Sequence, residues 1–250
     1  MNSRRKTHGR DRHRVEWVTA GQINPLLGRS LIWHDEKSRE FPARGVLFDP
    51  GVELVSRVWS RPGPYNQGQT YQCVAYSTKG VCNTAPVSDG KDPGVLDLID
   101  PKTIYDLAQT LDPWPGTGYN GTSTLAGLKA AHQLGLIPGY RWCFGLDDVL
   151  KTLSQHGPVM VGVTWWQSMF SPGYQGMLVV DKAAGNAGGH CVELVGVDVE
   201  AQAVLGVNSW GTGWGDQGRF KILFEDLDML LREDGEAGTV DPDMNLSSGD

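Results

Sequence analysis

Cys73, His190 and Asn208 are the residues whose types and order could do chemistry in this chain. Cys73 lies in Asn66-Gln-Gly-Gln-Thr-Tyr-Gln-Cys73-Val-Ala-Tyr-Ser77, His190 in Gly188-Gly-His190-Cys-Val-Glu-Leu-Val-Gly196, and Asn208 in Val207-Asn208-Ser-Trp-Gly-Thr-Gly-Trp-Gly215. A thiol is a useful nucleophile only as its thiolate, and a helix N-terminus and a nearby imidazolium both favour that form. The imidazole needs an acceptor on its far nitrogen, which an Asn oxygen supplies without adding a second negative charge. The order cysteine, histidine, asparagine therefore reads as nucleophile, base and orienter. An oxyanion would need donors: the backbone N–H at the helix start, and an amide side chain from the preceding loop. Gln67, Gln69 and Gln72 all stand in that loop and compete for the role.

These segments resemble the papain-like cysteine peptidases, the family that includes the cathepsins. The family's nucleophile segment reads N-Q-G-x-C-G-S-C-W-A-F-S, with the spacing found here from Asn66 to Ser77. Its G-H-A-V strand matches Gly189 to Val192, and its N-S-W-G-x-x-W-G-x-x-G-[YF] matches Asn208 to Phe220 almost throughout. The resemblance implies Cys73 as nucleophile, His190 as base, Asn208 as its orienter, Gln67 as oxyanion donor and Trp210 as a shield over the His–Asn bond. It implies substrate contacts at Gly121, Thr122, Gly189 and Trp214. It also implies a thiol endopeptidase acting through an acyl-enzyme on protein or peptide substrates, with no cofactor and no metal. Two alternatives stay open: a catalytically silent interaction or virion protein, and a thiol peptidoglycan hydrolase. Departures are plain: Thr70 stands where the family has a disulfide cysteine, Val74 replaces its Trp, and Tyr71-Gln72 replaces Gly-Ser.

The elements that must position these residues follow from periodicity. Cys73 to Tyr76 opens an apolar stretch that Gly80 is expected to end. Asp100-Pro101 reads as a cap with proline at the first helical position. Thr122 or Ser123 can cap a helix carrying Leu125, Leu128, Ala131 and Leu134, stopped by Gly135. Asp147 to His156 is a further helix. After Pro158 the period changes to alternation at 159–165, 191–198 and 219–224, with a short apolar strand at 203–207. The expected class is α+β, papain-like: a helical half (about 66–156) carries the nucleophile helix and packs on a β-rich half (about 157–235). A wrapping segment (26–65, with one strand near Val52 to Val55) joins the β-rich half, and the site lies in the cleft between the halves. Residues 1–25 read as a basic tail and 236–250 as an acidic one, leaving one catalytic domain over 26–235.

Composition sets the outer limits. The 250 residues are 40 % hydrophobic and 20 % charged, too apolar for a disordered chain. The 33 glycines show no G-X-Y period, and four cysteines are too few for a disulfide scaffold. No apolar run is long enough for a membrane span, and no apolar segment follows the basic N-terminus. A cytoplasmic protein is the expectation, with a virion possible for a phage-encoded one. The missing disulfide cysteine agrees with an intracellular bacterial or phage-type family member. Cys82, Cys143 and Cys191 are expected to be structural, Cys191 facing away from His190 by strand alternation. The net charge of −7 conceals basic residues 1–14 and acidic residues 225–250. No aromatics interleave the basic run, which argues against nucleic acid as a partner.

Overall fold

The computed structural model describes residues 26–30, 40–92, 96–114 and 116–244. The basic tail 1–25 lies outside the described residues. Among the described residues, five helices, α1 (Cys73–Asn83), α2 (Pro101–Leu111), α3 (Thr124–Gln133), α4 (Leu146–Gln155) and α5 (Phe224–Glu233), accompany seven strands. The strands are β1 (Arg57–Val58), β2 (Tyr140–Trp142), β3 (Val159–Trp166), β4 (Asn186–Asp198), β5 (Ala203–Val207), β6 (Arg219–Leu223) and β7 (Glu236–Val240). All pair antiparallel in one sheet of order β2-β7-β3-β4-β5-β6, with β1 added against β4.

The long central strands serve two cores at once. Val161, Val163, Val192 and Leu194 face a core completed by Val149 and Leu153 of α4 and by Leu227 and Leu230 of α5. Met160 and Cys191 face the opposite way, into a core built by Val74, Ile104, Ala108, Leu125 and Leu128 of α1 to α3. Successive strand residues point to opposite faces, so one β4 strand can offer His190 to one side and Cys191 to the other. Local signals set the helix starts. Asp100 accepts from the Lys102 N–H with Pro101 following it, and Ser123 accepts from the Ala126 N–H.

The α+β class holds, and several expected boundaries are corrected. α1 runs through Gly80 to Asn83, and Gly80 packs closely on β4: a Cβ there would lie 2.3 Å from a Glu193 carboxylate oxygen. The strand expected near Val52 to Val55 forms instead at Arg57–Val58. Both backbone groups of Val55 are taken by the Ser154 hydroxyl. α4 was expected in the helical half but packs into the other core, and β2 joins the sheet. Residues 236–240 were expected to begin an acidic tail. They form β7, a buried strand between β2 and β3, and Asp241 beyond it is buried in an ion pair with Arg141. Acidic α5 was not anticipated; Glu225 and Asp226 in its first turn and Arg232 in its last complement the helix dipole.

Candidate active site

Cys73 is the first residue of α1, and the N-cap residue Gln72 makes no side-chain cap. The sulfur is fully buried, and burial pushes its pKa up to about 11. The backbone N–H groups of Cys191, Gly28 and Val74 hydrogen-bond the sulfur and oppose that shift. Cys191 directly follows His190 on β4, so the helix start and the histidine strand meet at this sulfur.

The ring of His190 is held from three sides. Its Nε2 lies 2.8 Å from Asn208 Oδ1. That oxygen also accepts the Ser209 N–H at 2.8 Å, which fixes it as the acceptor. Nε2 therefore carries the proton, and Nδ1 is left as a bare lone pair; it is buried and without a hydrogen-bond partner. Trp210 stacks on the ring at 4.6 Å and 24°, and Trp165 meets it edge-on at 4.8 Å. Burial pushes the imidazole pKa down to about 4, against the Asn208 bond. Both thiol and imidazole are thus uncharged at neutral pH in this closed arrangement.

Gln67 is fixed at every polar atom of its amide. Its Oε1 accepts from the Ser209 hydroxyl at 2.6 Å, and its Nε2 donates to the Thr70 carbonyl at 2.7 Å and to the Leu26 carbonyl at 2.9 Å. The last bond belongs to an extended stretch, residues 26–30, that lies along the site. Arg29 N–H donates to the Gly189 carbonyl at 3.0 Å, and Ser30 N–H to the Thr122 carbonyl at 2.8 Å. Thr122 N–H returns a bond to the Gly28 carbonyl at 2.9 Å. A Cβ on Gly28 would sit 1.8 Å from the Tyr71 carbonyl oxygen, and one on Gly189 would sit 2.1 Å from the Arg29 carbonyl oxygen. Two chains approach here at backbone distance, which only glycine allows.

The structure brings His190, Asn208 and Trp210 together, ties Gln67 to Ser209 beside Asn208, and sets the Cys73 sulfur against the backbone of Cys191; the His190 Nδ1 makes no hydrogen bond to that sulfur. The structure places Gly121, Thr122 and Gly189 on the wall that binds residues 26–30. Gly121 adopts φ +92°, and a Cβ there would lie 2.3 Å from the Gly28 carbonyl oxygen. Trp214 stands apart from this wall; it packs edge-on behind Trp210 at 5.2 Å and donates its indole N–H to the Phe170 carbonyl. Cys191 faces the helical core, as alternation requires, and Cys82, Cys143 and Cys191 are buried free thiols. Sequence reasoning missed Ser209, although it lies inside the Asn-Ser-Trp motif. It also missed the whole 26–30 contact, for which Leu27-Gly-Arg-Ser30 carries no local signal.

Comparison with known proteins bears on the fold and on part of the sequence. Residues 144–231 match the model of the papain family cysteine proteases. A cathepsin B-like cysteine proteinase 6 from Caenorhabditis elegans is 30 % identical over 102 residues, 40 % of this chain and 26 % of the relative. The chain thus matches about a quarter of that relative's length. Among solved structures, xylellain, a cysteine protease from Xylella fastidiosa, superposes with a TM-score of 0.70 at 17 % identity, covering 92 % of this chain and 100 % of the other. The procathepsin B S9 of Trypanosoma congolense superposes with a TM-score of 0.56 at 18 % identity, covering 86 % and 87 %. In fold the chain is papain-like, and residues 144–231 are similar in sequence to the papain family of cysteine proteases.

Proposed function

We propose that the chain is a thiol endopeptidase that hydrolyses peptide bonds through Cys73, His190 and Asn208. The observation that carries this reading is the peptide in the cleft. Residues 26–30 are extended, bonded through their backbone to Gly189 and Thr122, and hydrogen-bonded at the Leu26 carbonyl by the Gln67 amide. A site that holds one peptide backbone by these groups is suited to hold another as substrate.

The chemistry follows from the atoms available. Nδ1 of His190 takes the thiol proton, and the Cys73 thiolate attacks the peptide carbonyl. The Gln67 Nε2–H and the backbone N–H at the start of α1 stabilise the oxyanion. The imidazolium then gives its proton to the leaving amine, and the neutral ring activates water to hydrolyse the acyl-enzyme. Asn208 keeps the ring in the tautomer that this sequence of transfers needs. Casein hydrolysis by the purified chain tests the reading. Cys73→Ala is expected to abolish turnover and Cys191→Ala to leave most of it; equal loss from both contradicts the assignment. Incubation with purified sacculi separates peptidoglycan from protein as the substrate.

A further inference from the structure

Thr122 turns both of its backbone groups toward residues 26–30, and Gly121 turns both of its own the other way. The Thr122 carbonyl accepts from the Ser30 N–H at 2.8 Å, and the Thr122 N–H donates to the Gly28 carbonyl at 2.9 Å. The Gly121 N–H donates to the Tyr105 hydroxyl at 2.8 Å, and the Gly121 carbonyl accepts from Gln109 Nε2 at 3.2 Å. Extended backbone imposes this division, since successive residues present their polar groups to opposite edges. The bridge between Arg29 and Thr122 is isolated from the strands of the sheet, so no ladder holds residues 119–122 in place. Side chains of α2 hold them instead. Tyr105, Gln109 and Asp112 stand four and three residues apart, along one face of α2 and at its C-cap. Gln109 is buried, and its Nε2 also lies 2.9 Å from the Tyr119 carbonyl and 3.0 Å from the Tyr105 hydroxyl. The Asp112 carboxylate accepts from the Thr122 hydroxyl at 2.7 Å and from the Tyr119 hydroxyl. Ile104 and Ala108 of the same helix are buried in the helical core, so the element that grips the wall is itself anchored.

We propose that Tyr105, Gln109 and Asp112 are positioning residues for peptide binding, holding residues 119–122 in the register where Thr122 alone offers its N–H and carbonyl to a peptide backbone. The inference rests on the peptidase reading for what the bound peptide is, and on the α2 contacts alone for how the wall is held. None of the three touches the bound segment; they act through Gly121 and Thr122. Without the Tyr105 hydroxyl the buried Gly121 N–H loses its acceptor, and the strand gains by turning that group toward another. Thr122 turns with it, and its two bonds across the cleft weaken together. Loss of the Thr122 hydroxyl frees the same strand from Asp112 while leaving its backbone groups in place.

Two readouts on the full-length chain test this, with the near-isosteric variants Tyr105→Phe and Thr122→Val. The first is native-state hydrogen exchange of the Ser30 and Thr122 amides, whose bonds cross the cleft, with the Ala126 amide capped by Ser123 as the reference. Each variant is expected to speed exchange at Ser30 and Thr122 about tenfold relative to Ala126. Equal acceleration of all three amides marks a loss of stability alone, and no acceleration marks a wall that stands without α2; either overturns the proposal. The second readout compares kcat/KM for fluorescein-labelled casein, whose backbone must reach Thr122, with that for p-nitrophenyl acetate, which has no peptide to lay on the wall. The casein-to-ester ratio is expected to fall about tenfold in Tyr105→Phe. Release of residues 26–30 would change both rates alike, so the ratio reads the wall, and an unchanged ratio overturns the proposal. Selective acceleration of exchange in both variants, with no casein hydrolysis by the wild-type chain, would leave the α2 contacts standing and refute the peptidase reading instead.

Discussion

The Leu26 carbonyl accepts a hydrogen bond from Gln67 Nε2 at 2.9 Å, in the position where the proposed mechanism puts a substrate oxyanion. The chain's own backbone thus engages the donor that catalysis would use, and Gly28, two residues on, hydrogen-bonds and covers the Cys73 sulfur.

Lifting this segment should uncover the thiol. A Cβ at Gly28 would meet the Tyr71 carbonyl at 1.8 Å, so Gly28→Val cannot keep residues 26–30 in place. Burial is the cause of the raised Cys73 pKa, and re-solvation lowers it; each unit of decrease multiplies the thiolate fraction at neutral pH about tenfold. The iodoacetamide labelling rate of Cys73 should rise at least tenfold over wild type, read by peptide mapping. Unchanged labelling would place the cover elsewhere.

Asn208→Ala removes the acceptor that fixes the His190 tautomer. Misplacing the base costs about a hundredfold in kcat, with KM little changed. Losing a buried hydrogen-bond partner destabilises the fold by roughly 1–3 kcal/mol. Steady-state kinetics and denaturant melts measure the two effects separately, and a loss confined to stability would remove Asn208 from the mechanism.

Ser209 acts through Gln67. Its hydroxyl holds Gln67 Oε1 at 2.6 Å, which directs Nε2 toward the cleft. Gln67→Ala should lower kcat roughly a hundredfold, as loss of one oxyanion donor does. Ser209→Ala should lower it less, and in the Gln67→Ala background it should have almost no further effect. Full additivity in this double-mutant cycle would contradict the coupling.

Glu236 gives the fold a pH dependence of defined sign. Burial raises its pKa to about 7, with Arg29 pulling it back. A carboxyl that binds its proton more tightly when folded contributes stability that is full below its unfolded value and is lost as pH rises through the folded one. Between about pH 4.5 and pH 7 the wild-type chain should therefore lose stability relative to Glu236→Gln, which lacks this group. Thermal melts of both at pH 5 and pH 8 check this, and a gap independent of pH would contradict it.

The cysteine, histidine and asparagine segments stood out in the sequence because each proposed role depends on local chemistry and a fixed order, and the His190–Asn208 hydrogen bond joins two of them. Helix starts at Asp100 and Ser123 were legible for the same reason: the cap lies beside the residues it caps. The contact of Arg29 with Glu236 was not. Arg29 and Glu236 lie 207 residues apart, and only the closed cleft makes them partners. Glu236 was masked by its acidic surroundings, where charge composition outweighed a five-residue strand containing Ala237 and Gly238. α5 was masked likewise, since only Leu227 and Leu230 of its ten residues are buried. Gly80 failed as a stop signal because tertiary packing against Glu193 overrode its weak helix propensity.

The central claim, acyl transfer through Cys73, is tested most directly by trapping the intermediate. The Gly28→Val chain is mixed with a p-nitrophenyl ester of an N-blocked amino acid, quenched in acid and mapped by mass spectrometry. One acyl group is expected on Cys73, absent in the Cys73→Ala version and much slower to form when His190→Ala is added. No adduct, or an acyl group shared among Cys73, Cys82 and Cys143, would contradict the account.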